Sequence, residues 1–67
     1  MKIKVNGEKE TLAGPLPVSG YVKRKFSAPP ARIAVAVNGS VIARENWDEY
    51  LIEDGDELEI VRPLQGG

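Results

Sequence analysis

The sequence contains no histidine and no cysteine. The usual near-neutral acid–base group and commonest metal ligand is therefore missing, and so is all thiol chemistry. The group left with chemical use is the α-carboxyl expected on Gly67, held behind Arg62-Pro63-Leu64-Gln65-Gly66. Glycine has no Cβ, so Gly66-Gly67 can adopt almost any backbone conformation and pass through a narrow opening. The residues Pro63 to Gly67, fully extended, reach at most ~17 Å. That is enough to carry a carboxylate out of a globule and into another protein's active site. A terminal carboxyl has a pKa of about 3.3–3.7, so at neutral pH it is an anion and a poor electrophile. It must be activated by something else before it reacts. Beyond Pro63 there is no charged anchor and no apolar residue after Leu64, so this segment is expected to be mobile in the free protein.

Other constellations read as structure. Asp54, Asp56, Glu57 and Glu59 form an acidic run, but the run lacks the ligand spacing of a calcium loop. A turn followed by a solvated strand face accounts for it, with partner steering as a secondary role. Asn38-Gly39-Ser40 fits a glycosylation pattern, yet reads as a turn. Lys23-Arg24-Lys25 is a wet helix face, Trp47 and Tyr50 are core or rim packing, and Arg44 is exposed. Nine basic and ten acidic residues leave a net charge of −1, which does not favour nucleic acid or an anionic membrane as partner. No apolar run approaches the ~20 residues of a membrane span. Met1-Lys2-Ile3-Lys4-Val5 alternates where a signal peptide would be an apolar block. The expectation is a cytoplasmic protein, monomeric when free.

These groups must be positioned by one small domain, since 67 residues leave no room for two. Ile3 and Val5 alternate with Lys2, Lys4 and Asn6, the period of a half-buried strand. Asn6-Gly7 supplies the positive φ of a tight hairpin, and Lys9 to Leu12 is the return strand. Val18, Tyr21, Val22 and Phe26 make an apolar helical stripe. A helix is predicted from roughly Pro17 to Ser27, weakened by Gly20 and ended by Pro29-Pro30. Ile33, Val35 and Val37 mark the next strand, Asn38-Gly39 repeats the hairpin signal, and Val41 to Ala43 returns. Asn46 is placed as the cap of a short helical turn carrying Trp47, Tyr50 and Leu51. Asp54-Gly55 turns the chain, and Leu58 and Ile60 define the last strand.

One helix between two hairpins, with a closing strand, predicts an α+β ubiquitin-like β-grasp. Its mixed four- to five-stranded sheet should pack on one main helix. Residues 1–62 are expected to form this domain and residues 63–67 a flexible tail. The predicted core is Ile3, Val5, Leu12, Val18, Val22, Phe26, Ile33, Val35, Val37, Leu51, Leu58 and Ile60. Ala34, Ala36 and Val61 then point away from the helix. With Leu64 they are expected to form an apolar docking patch beside the tail.

The stretch Val37-Asn-Gly-Ser-Val-Ile-Ala-Arg-Glu-Asn-Trp47, then Ile52-Glu-Asp-Gly-Asp-Glu-Leu-Glu-Ile-Val61 and the final Gly66-Gly67, resembles the ThiS family. These are the MoaD-like sulfur carriers of thiamine biosynthesis. The pattern maps to Asn38, Arg44-Glu45-Asn46-Trp47, Asp54-Gly55-Asp56 and Gly66-Gly67. It covers the C-terminal half well and the first hairpin loosely. Pro17-Val18-Ser19-Gly20-Tyr21-Val22 stands where family members usually carry a leucine-rich helix. The resemblance implies that Gly67 is adenylated by an E1-like enzyme using ATP and magnesium, then converted to a thiocarboxylate by a sulfur donor. Gly66 and Leu64 would be read by the partner, and thiazole synthase would receive the sulfur. The chain itself would bind no cofactor and would not be an enzyme. The same chemistry could serve molybdopterin, cysteine or homocysteine synthesis, although molybdopterin carriers more often show two prolines before Gly-Gly and only Pro63 is present here. A ubiquitin-like interaction module or lysine-linked modifier is the alternative of a different class.

Overall fold

The computed structural model describes residues 1–26 and 33–61. Strands β1 (Lys2–Val5) and β2 (Glu8–Thr11) form the first hairpin, and a two-residue β3 (Leu16–Pro17) leads into helix α1 (Val18–Lys25). The second hairpin is β4 (Ala34–Val37) and β5 (Ser40–Ile42), followed by a 3-10 turn at Arg44–Asn46, a two-residue β6 (Leu51–Ile52) and β7 (Glu57–Val61).

The hairpins follow from their turn residues. Asn6 and Asn38 have φ of 51° and 52°, and Gly7 and Gly39 both have 85°. Two successive left-handed residues define the hairpin turn whose twist matches that of its strands, and asparagine and glycine are the residues that tolerate it. The two hairpins do not pair with each other. The last strand inserts between them, giving the order β2-β1-β7-β4-β5. It runs parallel to β1 and antiparallel to β4. This is the mixed five-stranded sheet of the ubiquitin-like β-grasp.

Alternation along β1, β4 and β7 turns Ile3, Val5, Val35, Val37, Leu58 and Ile60 to one face, where all are buried. Val18, Tyr21 and Val22 of α1 join them in a single core with Leu12, Ile33, Trp47 and Ile52. Phe26 packs against this core only partly buried.

The helix is shorter than its sequence suggests. It begins at Val18, and by Phe26 the backbone is extended at φ −125°, ψ 113°. Ser27 lies outside the described residues. Pro17 precedes the helix and contributes no capping side chain. The first helical N–H groups are satisfied from elsewhere in the chain: Val18 N–H donates to the Tyr50 carbonyl at 2.9 Å, and Ser19 N–H to the Trp47 carbonyl at 3.1 Å. A helix start whose orphan donors are met by backbone needs no Ser, Thr or Asp. The basic residues Lys23, Arg24 and Lys25 occupy the last turn, where the helix dipole favours cations.

The segment between β5 and β7 corrects two expectations. Asn46 belongs to the 3-10 turn that follows Ala43, and it serves the next turn through its carbonyl, which accepts from the Glu49 and Tyr50 N–H groups at 3.1 and 3.0 Å, where a side-chain cap is expected. Leu51 is not in the core. It is 52% exposed, while its neighbour Ile52 is fully buried. The cause is a change of period. A helical reading places Trp47, Tyr50 and Leu51 on one face, but at Leu51 the chain becomes β6 and pairs antiparallel with β3. Successive residues of a strand face opposite ways, so Ile52 takes the inward position.

Candidate functional site

Strand β7 is the central strand of the sheet, and its last described residue is Val61. Gly67, Gly66 and Leu64, the reacting and tail-recognition residues expected from the sequence, lie outside the described residues. The described residues that precede them in sequence are those of β7, whose outward face can be read.

The sheet face turned away from α1 is striped. On β1, the outward residues are Lys2 and Lys4, and Lys9 of β2 stands opposite Lys4. On β7 they are Glu57, Glu59 and Val61. On β4 they are Ala34, which is exposed, and Ala36, which is half-buried. Ala34 is the direct partner of Val61, and Ala36 lies between Glu59 on one side and Val41 on the other. The three patch residues predicted from the sequence are thus brought together on one face. The structure adds Val41, which its sequence context marks only as part of a return strand. It is 74% exposed, against 57% for Val61. Pairing with Ala36 is the signal: any residue opposite an outward position must itself face outward. The result is a small apolar strip of Ala34, Ala36, Val41 and Val61, bordered by the carboxylates of β7.

Two asparagines fasten β7. Asn6 Oδ1 accepts the Ile60 N–H at 2.8 Å, and Asn6 Nδ2 donates to the Ile60 carbonyl at 3.3 Å. At the other end, Asn38 Oδ1 accepts the Glu57 N–H at 3.0 Å, and its Nδ2 donates to Asp56 Oδ1 at 3.0 Å. The acidic turn is used in the same way. Asp56 Oδ2 accepts the Glu53 N–H at 2.8 Å, and Asp54 Oδ1 accepts the Lys2 N–H at 2.7 Å. These carboxylates close the turn ahead of β7.

Behind the sheet, Glu10 ties β2 to the helix. Its Oε2 accepts from Lys25 Nζ at 2.7 Å and its Oε1 from the Tyr21 hydroxyl at 2.8 Å. The hydrogen bond from Lys25 holds the Glu10 carboxyl below its ordinary value, partly opposed by burial. Burial, assisted by Glu10, pushes the Tyr21 hydroxyl up. On the far side, Trp47 Nε1 donates to the Ile42 carbonyl at 2.9 Å, and the Arg44 guanidinium lies 4.7 Å from the indole centroid. That contact suits a cation over an aromatic face. Among the described residues no cluster of His, Cys, Asp and Glu could hold a metal ion, and no helix is long and apolar enough to cross a membrane.

A β-grasp domain with an exposed apolar strip beside its closing strand defines the class: a small ubiquitin-like protein. The profile of the ThiS family matches residues 3–67. The chain is 32% identical to the sulfur carrier protein ThiS of Escherichia coli (strain K12) over 37 residues, 55% of this chain and 56% of that protein. The alignment thus spans little more than half the length of that curated relative. The crystal structure of a thiamine biosynthesis protein (ThiS) from Geobacter metallireducens superposes with a TM-score of 0.87 at 32% identity, covering 100% of both chains. The solution structure of a thiamine biosynthesis protein from the same organism gives 0.81 at 32% identity, covering 100% of this chain and 88% of that one. The chain belongs to the ThiS family.

Proposed function

We propose that this chain is a sulfur carrier protein of thiamine biosynthesis. Residues 1–62 serve as the recognised body and 63–67 as the reacting segment. The supporting observation is that the family match runs through residue 67, so it includes Gly66-Gly67. Full-length likeness to a solved thiamine biosynthesis protein supports it further.

In this reading Gly67 is the terminal residue of the working protein. Its carboxylate oxygen attacks the α-phosphorus of ATP, held with magnesium by an E1-like enzyme. An acyl-adenylate forms and pyrophosphate leaves. The mixed anhydride supplies the leaving group that the free carboxylate lacks. A sulfur donor at the oxidation level of hydrosulfide then attacks the acyl carbon. A C–S bond forms, the C–O bond to AMP breaks, and a thiocarboxylate results. Thiazole synthase is the acceptor. The chain contributes no acid, base or metal, which accords with a sequence without His or Cys. The setting proposed is the cytoplasm. The strip of Ala34, Ala36, Val41 and Val61 is the docking surface for the activating enzyme, with Leu64 and Gly66 read as the segment enters its channel.

Intact-mass measurement of the protein isolated from cells tests the reading. A species ending at Gly67 and heavier by the exchange of one oxygen for sulfur is expected. A chain found only as an isopeptide adduct on lysines, or never bearing sulfur, overturns it.

A further inference from the structure

Strand β7 is held on its β1 side by two different devices. Backbone pairing covers Lys4 with Glu57 and Val5 with Leu58, and the Asn6 N–H donates to the Leu58 carbonyl at 2.9 Å as the last rung. There the chain turns away through Gly7. The next β7 groups on that side are the N–H and carbonyl of Ile60, and the Asn6 side chain meets both, at 2.8 and 3.3 Å. A backbone N–H can only donate, so the oxygen of the carboxamide must face it and the nitrogen must face the carbonyl. The side chain thereby stands in for a peptide group of a longer β1.

We propose that Asn6 is a positioning residue whose carboxamide, gripping both backbone groups of Ile60, fixes the C-terminal end of β7. Resting on the carrier reading above, this grip sets how the C-terminal glycine is presented to the activating enzyme. The turn alone does not require asparagine. At φ 51° glycine would serve equally. Only the side chain reaches Ile60.

The second hairpin provides a matched comparison. Asn38 has nearly the same φ, is followed by the same glycine conformation, and also bonds β7 through its carboxamide. It holds Glu57, where the strand enters the sheet. Its bonds are exposed, whereas those of Asn6 are part-buried, so water replaces the Asn6 grip less readily.

The experiment compares Asn6→Gly and Asn38→Gly in the full chain. Thermal unfolding gives the stability of each, and NMR gives amide exchange at Ile60 relative to β4. ATP–pyrophosphate exchange with the E1-like enzyme of the same source is followed as carrier concentration varies. For Asn6→Gly, Ile60 exchange should rise more than that of β4. Because small misplacements are costly in transfer geometry, kcat should fall about 10- to 100-fold with KM little changed. Asn38→Gly should keep kcat near wild type even where its stability falls as far. Unchanged protection of Ile60 in Asn6→Gly, equal kcat losses in the two variants, or a loss confined to KM would each overturn the proposal. If the wild-type chain supports no exchange of pyrophosphate, the carrier reading fails instead. Protection at Ile60 then decides the grip alone: faster exchange in Asn6→Gly upholds it and unchanged exchange overturns it.

Discussion

Ala34 and Val61 face each other across the β4–β7 ladder, and both side chains are exposed on the face turned away from the helix. Their neighbours decide how the proposed docking strip is best tested. A glutamate at Ala36 would stand directly opposite Glu59, and like charges in a cross-strand pair destabilise a sheet. Ala34→Glu avoids that clash because its partner is apolar. We expect this substitution to leave thermal unfolding unchanged while weakening affinity for the activating enzyme by at least about tenfold, roughly 1.4 kcal/mol. Titration calorimetry or surface binding measures it. Wild-type affinity in a folded Ala34→Glu variant would remove this strip from the interface.

The proposed reacting end is tested by shortening it. Deleting Gly67 moves a terminal carboxylate back by about 3.3–3.6 Å, outside the near-attack distance of about 3–3.5 Å. Pyrophosphate exchange should be lost, while circular dichroism remains that of the full chain. Gly66→Ala should retain the fold and lower exchange through the side chain it adds. Full exchange activity without Gly67 would falsify the carrier reading.

Helix α1 contains a correctable weakness. A Cβ built at Gly20 would meet Leu16 Cδ1 at 3.6 Å and Pro17 Cδ at 3.7 Å, both ordinary contacts. Alanine therefore fits without displacement and gains helix propensity of about 0.8–1 kcal/mol. Gly20→Ala should raise the midpoint of thermal unfolding by several degrees, about 4–8 °C per kcal/mol in a domain this small. A lowered midpoint would show that the helix start needs glycine for another reason.

Stability should depend on acid pH through Glu10. The Lys25 hydrogen bond lowers its folded pKa below the ordinary 4.5, so the unfolded chain binds the proton more readily. The contribution is complete well above 4.5 and is lost as pH falls below it through the folded value. Side-chain exposures of 45% for Lys25 and 28% for Glu10 keep it within about 1 kcal/mol. Glu10→Gln retains an acceptor for Tyr21 and removes the charge. Urea unfolding should show the variant weaker at neutral pH and the difference shrinking toward acid. A constant difference across that range would assign the effect to packing.

Trp47 is the chain's single tryptophan and is 6% exposed. Trp47→Phe keeps a ring in the core but leaves the Ile42 carbonyl without its indole donor. The expected loss is about 1–3 kcal/mol, measurable by chemical denaturation. No change in midpoint would mean that water or a neighbouring donor replaces the indole.

Much of this architecture is legible in the sequence. Ile3 and Val5, Val35 and Val37, and Leu58 and Ile60 announce their strands because only one face of each is buried, and burial of one face imposes a period of two. Asn6-Gly7 and Asn38-Gly39 announce the hairpins because few residues accept their backbone angles. The outward set of Ala34, Ala36 and Val61 followed by simple parity. What escaped was decided by tertiary contact. A ladder of two residues, Leu16–Pro17 on Leu51–Ile52, is too short to show a period, so Leu51 and Ile52 exchanged places. Tyr21 lies on the helical stripe, but its polar hydroxyl hides a place in the core, where it is 3% exposed. The helix start carried no capping residue because its partners are the carbonyls of Trp47 and Tyr50, far away in sequence.

The placement of β7 has a consequence for synthesis. The two hairpins share no edge until Glu57–Val61 lies between them. A nascent or truncated chain that stops before Glu57 holds two hairpins with no strand between them, joined only through the two-residue β3–β6 ladder and shared core side chains, and a pair of strands is marginal in water at best. The five-stranded order is reached only once Glu57–Val61 has been made and released. Any molecule that displays the finished outer face has already been translated through β7.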